Sequence, residues 1–308
     1  MEEPVEKAEE PPHEEPTRSL HCFADPAACG FPAPSTTGPT GTLTPSGAIG
    51  STTAGQVISH KDVTGSINVT SNNVTIEDVR VTSTGNCGTT NACGNYAIRI
   101  AEGVSGTVIR HVETRTEAGK TCQQDIRNTS GSEVVIEDAY LHACDGNLYT
   151  AGPATLKDSY GIAKIAISED HIENVYMNDT SLRAIHDTLL NPVGQTAVIF
   201  GNSNGGFATT DCKNNITVED SLLAGGGYTI YECAHASGKG SSSLTVRNNH
   251  FARCTTAITN SSGGGHPCVG GPDANGYYPR SGNFGIETST FSPTWVGNVW
   301  DDNGATAP

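Results

Sequence analysis

Apolar and polar residues alternate along this chain in short bursts, and one five-residue phrase keeps returning: apolar, any, apolar, charged, then Asp, His or Asn. It reads Val74-Thr75-Ile76-Glu77-Asp78, Thr107-Val108-Ile109-Arg110-His111, Val134-Val135-Ile136-Glu137-Asp138 and Ala154-Thr155-Leu156-Lys157-Asp158. Later copies are Leu182-Arg183-Ala184-Ile185-His186, Ile216-Thr217-Val218-Glu219-Asp220 and Leu244-Thr245-Val246-Arg247-Asn248, with a weak last one at Phe284-Gly285-Ile286-Glu287-Thr288. Successive copies lie 20 to 40 residues apart. A period of that size, with period-two alternation inside each copy, predicts an all-β solenoid of stacked repeats. The segments are too short and too β-branched for a helical repeat. No repeat buries its apolar side alone, so stacking has to supply the core. The residue closing each phrase is read as a turn slot, which gives His111 and His186 structural roles.

A second strand precedes the phrase in each repeat. Aligning Ala97-Ile98-Arg99, Asp125-Ile126-Arg127, Asn147-Leu148-Tyr149, Asn174-Val175-Tyr176 and Thr229-Ile230-Tyr231 puts an apolar residue at each centre, and Ala197-Val198-Ile199-Phe200 joins the series. If the central residue points inward, strict alternation sends both flanks outward. Stacking then yields two outer ladders. One runs Arg99, Arg127, Tyr149, Tyr176, Tyr231, and the other Ala97, Asp125, Asn147, Asn174, Thr229. Aromatic rings beside amides, carboxylates and guanidinium groups suit a sugar-binding surface.

Composition sharpens this picture. Thirty-six Gly and only 6% aromatics among 308 residues fit many short strands joined by turns. No run is long and apolar enough to span a membrane. The formal net charge is −16. Residues 1–20 carry seven Glu against Lys7 and Arg18 and read as a disordered, self-repelling Glu/Pro-rich tether. The remainder is still acidic, which argues against nucleic acid as a partner. An anionic polysaccharide would need local arginines or a bound cation. Ten cysteines, with no C-x-x-C among them, point to a disulfide-bonded secreted protein. Pairing neighbours gives Cys22–Cys29, Cys87–Cys93, Cys122–Cys144, Cys212–Cys233 and Cys254–Cys268, one of the connectivities that an even count permits. Residues 21–308 are read as one domain, with 21–60 capping its start and 269–308 its end.

Two chemistries fit the outer ladders. Elimination next to a uronate carboxylate needs a base, together with a cation that neutralises the carboxylate. Arg99, Arg127, Lys120 and Lys164 have the right sign, and Tyr149, Tyr176 or His171 can move the proton. Asp125 and Asp145 are the candidate calcium ligands. Hydrolysis instead needs two carboxylates flanking the bond, for which Asp125 and Asp145, or nearby Asp170 and Glu173, are the candidates.

The repeat, together with the lead Phe31-Pro32 through Gly41-Thr42-Leu43-Thr44-Pro45, resembles the pectin lyase-like superfamily over residues 21–300. The resemblance implies a single-stranded right-handed parallel β-helix, typical of secreted bacterial proteins. It implies a polysaccharide ligand and weighs little on the reaction. The polygalacturonase signatures are not present as a set: Asp301-Asp302 and Gly265-His266-Pro267 are partial echoes. The Arg-x-Pro-x-x-Arg stretch of well-known pectate lyases is absent. A motif of closer relatives, His-x-Asp-Gly-Ile-Gln, has its counterpart in His171-Ile172-Glu173-Asn174-Val175-Tyr176, where Glu replaces Asp. The expectation is a secreted monomer that binds and cleaves an extracellular polysaccharide, with a lyase ahead of a hydrolase and a non-catalytic binder as the other class. Arg127, Asp125, Asp145, His171 and Lys164 carry the chemistry in that reading. Arg99, Asn147, Tyr149, Asn174, Tyr176 and Tyr231 hold the glycan, and calcium is the one candidate cofactor.

Overall fold

The structure, a computed structural model, describes residues 22–23, 25–87, 94–163, 172–191, 197–202, 213–226, 228–232, 243–251, 293–301 and 303–307. The tether at 1–20, the weak phrase at 284–288 and much of the segment read as a terminal cap lie outside the described residues. Among the described residues the strands form two sheets, of sixteen and eight strands. Strand neighbours within both are parallel throughout. A four-residue 3-10 turn, Pro26–Cys29, is the one helical element there, and no helix is long and apolar enough to cross a membrane.

The eight-stranded sheet takes its strands in sequence order: Ile49–Gly50, Ile67–Val69, Tyr96–Ile100, Gln124–Asn128, Gly146–Thr150, Val175–Asn178, Ala197–Asn202 and Tyr228–Glu232. Between consecutive members the chain visits the sixteen-stranded sheet, where the phrases pair with one another. This all-parallel arrangement is compatible with a β-solenoid. The third residue of each phrase is aligned in register, Ile76, Ile109, Ile136, Leu156, Ala184, Val218, Val246 and then Trp295. All but Trp295 are buried, and they run through a single hydrophobic core. Each fully buried Ile or Leu contributes about 1.5–3 kcal/mol, so the stack is held by repetition of a modest term.

The turn slot lies where the phrase predicts. Asp78, His111, Asp138, Asp158, His186, Asp220 and Asn248 all have φ between 51° and 57°, in the left-handed region. Asp, Asn and His tolerate that region better than most residues with a Cβ. The chain bends there, and the next residue turns back into the core. Those next residues include Ser159, Asp187, Ser221 and Asn249, and Asn298 takes the same place after Gly297 (φ 70°); all five are buried. Each side chain satisfies a backbone amide of the repeat before it: Asp187 Oδ1 accepts from Ser159 N (2.9 Å), Asn249 Oδ1 from Ser221 N (2.9 Å) and Asn298 Oδ1 from Asn249 N (3.1 Å).

The lead differs from the expected end cap. It runs along the side of the repeats, from the last one back to the first. Phe23 N donates to Asp301 Oδ2 (2.8 Å), and His186 Nε2 meets the Gly30 carbonyl (2.9 Å). Gly38 N donates to the Asp138 carbonyl (2.8 Å), and Thr40 N and Oγ1 donate to Asp78 Oδ1 (2.9 and 2.6 Å). The reason is apolar surface: Phe23, like Tyr140 and Ile162, packs against the buried cluster of Tyr160, Leu190 and Ala224. Only Thr44–Ser46 and Ile49–Gly50 then join the sheets as first strands.

Candidate functional site: the outer face of the eight-stranded sheet

Register along this sheet aligns Asn68, Arg99, Arg127, Tyr149, Tyr176, Phe200 and Tyr231 in one ladder. Arg99 is exposed, while Arg127, Tyr149, Tyr176 and Tyr231 are half-buried. Phe200 is the member that sequence reasoning left out of the binding set, although its strand had been aligned, and it is buried. The rings form a column: Tyr149 to Tyr176 at 5.4 Å, Tyr176 to Phe200 at 5.2 Å and Phe200 to Tyr231 at 5.4 Å. The Arg127 guanidinium caps it, 4.0 Å from the Tyr149 centroid and 5.0 Å from that of Tyr96. Such contacts add about 0.5–1.5 kcal/mol per ring pair beyond area burial.

The tyrosine hydroxyls are fixed from the following repeat. Asn178 Nδ2 donates to Tyr149 Oη (2.9 Å), and Asn202 Nδ2 donates to Tyr176 Oη. Burial raises the Tyr176 phenol above its ordinary value, the bond from Asn202 opposing it. Tyr176 therefore holds its proton at neutral pH and is a donor. Arg127 Nη1 donates to Gln124 Oε1 (3.2 Å), so one bond and two rings set its orientation.

The neighbouring ladder corrects the sequence reading. Asp125, Asn147, Asn174 and Thr229 are not on the outer face: each is at most 1% exposed. Alternation fails at a gap in the register near the start of the strand: Gly146 pairs with Gln124 and Leu148 with Ile126, while Asn147 and Asp125 drop out of the pairing, and two successive residues are buried. Asp125 and Ile126, Asn147 and Leu148, and Asn174 and Val175 are all buried pairs. The polar members bond to one another across repeats. Asn147 Nδ2 donates to Asp125 Oδ2 (2.8 Å) and to the Leu141 and Ile162 carbonyls, and Asn174 Nδ2 donates to Asn147 Oδ1 (2.7 Å). Asp125 Oδ1 also accepts from Ala143 N and Cys144 N (3.0 and 3.1 Å). Burial still pushes the Asp125 carboxyl up, to about 6.

This burial takes Asp125 out of contact with any polymer on the outer face, and Asn147 and Asn174 with it. It also removes the Asp125–Asp145 pair as flanking carboxylates for hydrolysis. Asp125 is also sealed from solvent, its Oδ1 held by Ala143 N and Cys144 N and its Oδ2 by Asn147 Nδ2. Asp145 (3% exposed) and Glu173 (5%) instead line a small recess of about 40 Å³ with Gln123, Gln124 and Tyr176. A wider recess of about 360 Å³ opens at the other end of the ladder, where Asn68, Gly85, Asn95, Tyr96 and Arg99 contribute to its lining. Lys120 closes the turn that begins at Glu117, its N–H donating to the Glu117 carbonyl (3.0 Å). Lys164, Asp170 and His171 lie outside the described residues.

Two of the neighbour disulfides are present: Cys22–Cys29 and Cys122–Cys144, with Cα atoms 5.5 and 4.6 Å apart. The second ties one repeat to the next beside Asp125. Cys87 is also disulfide-bonded. Cys93, Cys212, Cys233, Cys254 and Cys268 lie outside the described residues. The cystines, and the lack of a long apolar helix among the described residues, are compatible with an extracellular protein. No protein-family model, no curated protein and no solved structure matches the chain.

Proposed function

We propose that the chain is a secreted, right-handed parallel β-helix of the pectin lyase-like kind that binds an acidic extracellular polysaccharide along this ladder and cleaves it by β-elimination. The observation that supports the reading is the in-register sequence Arg99, Arg127, Tyr149, Tyr176 on one sheet face. A chain of net charge −16 would repel a polyanion everywhere except where cations are concentrated. Two arginines one repeat apart, about 4.8 Å, provide that place. Right-handedness follows from the strong preference of parallel crossovers.

In the proposed reaction Arg127 pairs with the uronate carboxylate and stabilises the negative charge that develops when the adjacent C–H proton is taken. The electron pair forms a carbon–carbon double bond, and the glycosidic oxygen leaves. Tyr176, kept protonated, donates to that oxygen. Tyr149 as its phenolate, or His171 as the neutral imidazole, takes the carbon-bound proton. Elimination is preferred to hydrolysis because Asp125, the first carboxylate offered for hydrolysis, is buried. A second reading, glycan binding without cleavage, has one observation in its favour: among the described residues, the exposed ladder carries cations and phenols but no carboxylate.

The test is a panel of uronate-containing polysaccharides with the ultraviolet absorbance of the unsaturated product as readout. Lyase activity that disappears in Arg127→Ala supports the proposal. Binding without any absorbance rise, lost in the same variant, would leave the non-catalytic reading. Neither binding nor cleavage would remove both.

A further inference from the structure

Outside that face, the lead segment meets the final repeats at a cluster of a different kind. One ligand-capable atom each from Cys22, His250 and Asp301 lies within 4.8 Å of the other two. The three residues come from separate parts of the chain: the lead, the strand His250–Phe251, and the turn after Val299–Trp300. Cys22 and Asp301 are buried and His250 is partly so. The geometry is fixed from several sides. His250 Nδ1 lies 3.1 Å from Asp301 Oδ1, the Phe23 amide holds Asp301 Oδ2 at 2.8 Å, and the Phe31 ring packs edge-on against the His250 ring at 5.0 Å.

We infer that these three side chains form a redox-gated site for a thiophilic divalent cation of the zinc type, which replaces the Cys22–Cys29 bond as the fastening of the lead. Thiolate, imidazole and carboxylate are the donors that such an ion takes, at about 2.0–2.3 Å. Atoms around a shared tetrahedral centre at those distances sit roughly 3.3–3.8 Å apart, so closure from the present spacing needs about 1 Å, within the reach of side-chain rotation. A water completes the fourth position. Thiolate and carboxylate together neutralise the dication.

In the oxidised protein the Cys22 sulfur is engaged with Cys29. Cys29 is exposed and Cys22 is 1% exposed, so a dithiol reductant attacks the Cys29 sulfur. The Cys22–Cys29 bond breaks, a mixed disulfide forms at Cys29, and Cys22 leaves as the thiolate beside His250 and Asp301. The reductant's second thiol then displaces Cys29 as a thiol, and the reductant departs as its own cyclic disulfide. Two electrons have passed to the protein. The metal captures the Cys22 thiolate where it was released, without movement of the lead.

Cys29→Ser isolates the site, because it leaves Cys22 as a thiol with no reductant present and the other disulfides untouched. The probe is cobalt(II) added to the full chain, followed by its thiolate charge-transfer absorption and then by displacement with zinc. One equivalent of cobalt should bind to Cys29→Ser and none to the oxidised parent. Adding His250→Ala or Asp301→Asn should weaken binding at least tenfold. A band of equal strength in the His250→Ala background, or no band while Cys22 titrates as a thiol, overturns the inference. If Cys29→Ser loses its β circular dichroism signal, recovery of that signal with zinc supports the site and failure to recover rejects it.

Discussion

The buried Asp125 carboxyl makes the sharpest prediction. Its ordinary value is 3.8 and burial lifts it to about 6, against the hydrogen bonds from Asn147, Thr114 and Ala143. A carboxyl raised in the folded state contributes stability that is complete below its unfolded value and is lost as pH rises through its folded value. The window is therefore pH 3.8 to about 6. A shift of roughly two units at 1.36 kcal/mol each amounts to about 3 kcal/mol. The perturbation is Asp125→Asn, which cannot titrate. The amide brings a cost of its own, since one of its N–H groups must face the Asn147 amide, but that cost does not change with pH. The assay is urea unfolding of both proteins at several pH values across the window. Stability of the parent relative to the variant should fall by about 3 kcal/mol from the acid to the neutral end. Asp187, also buried and raised, is present in both proteins and cancels in the difference. Parallel curves would refute the reasoning, and would mean that the amide donors hold Asp125 ionised throughout.

Other predictions rest on separate contacts. Glu113 behaves oppositely: burial raises it, yet bonds from His142, Arg115 and Arg80 bring it down to about 2 from 4.5. Its contribution is therefore complete above 4.5 and lost as pH falls towards 2, and Glu113→Gln should cost about 2 kcal/mol at neutral pH and flatten the acid limb of the stability profile. Replacing Cys122 and Cys144 together by Ser opens a loop closed over 22 residues and should lower stability by about 3 kcal/mol, measured by denaturant titration. Asp220, at φ 51°, should tolerate Gly within about 0.5 kcal/mol, while Ala costs about 1 kcal/mol, seen as a lowered thermal midpoint.

Much of this architecture was legible because the repeat writes the same instruction several times. The third position of the phrase aligns in the structure from Ile76 to Val246, and the closing Asp, His or Asn occupies the left-handed turn each time. The ladder of Arg99, Arg127, Tyr149, Tyr176 and Tyr231 was readable for the same reason, since parallel stacking brings like positions together. The phrase expected at 284–288 lies outside the described residues; among those described, the last partner in the row is Trp295, whose neighbours do not repeat the pattern. The burial of Asp125, Asn147 and Asn174 was missed because period-two alternation describes a regular strand and says nothing of a register gap near its start. A signal did exist. That position is filled by Ala, Asp, Asn, Asn and Thr, residues small enough to stack inside and, where polar, able to bond along the stack. Outward sugar-binding positions have no reason to stay so small.

The buried and exposed ladders depend on each other. They are two residues apart on every strand, Asp125 with Arg127, Asn147 with Tyr149 and Asn174 with Tyr176. The amide chain through Asn147 and Asn174 bonds each repeat to the next and admits one register. A slip of one residue would send Ile126 and Leu148 to solvent and Arg127 and Tyr149 into the core, and an unpaired buried arginine alone costs several kcal/mol. The inner polar stack thus holds the guanidinium groups at one end of the outer face and the phenols at the other. Any extended ligand that lies along this sheet meets charge at Arg99 and Arg127 before it meets rings at Tyr149 and Tyr176. Such a surface distinguishes the two ends of the polymer, and that polarity originates in residues the ligand never touches.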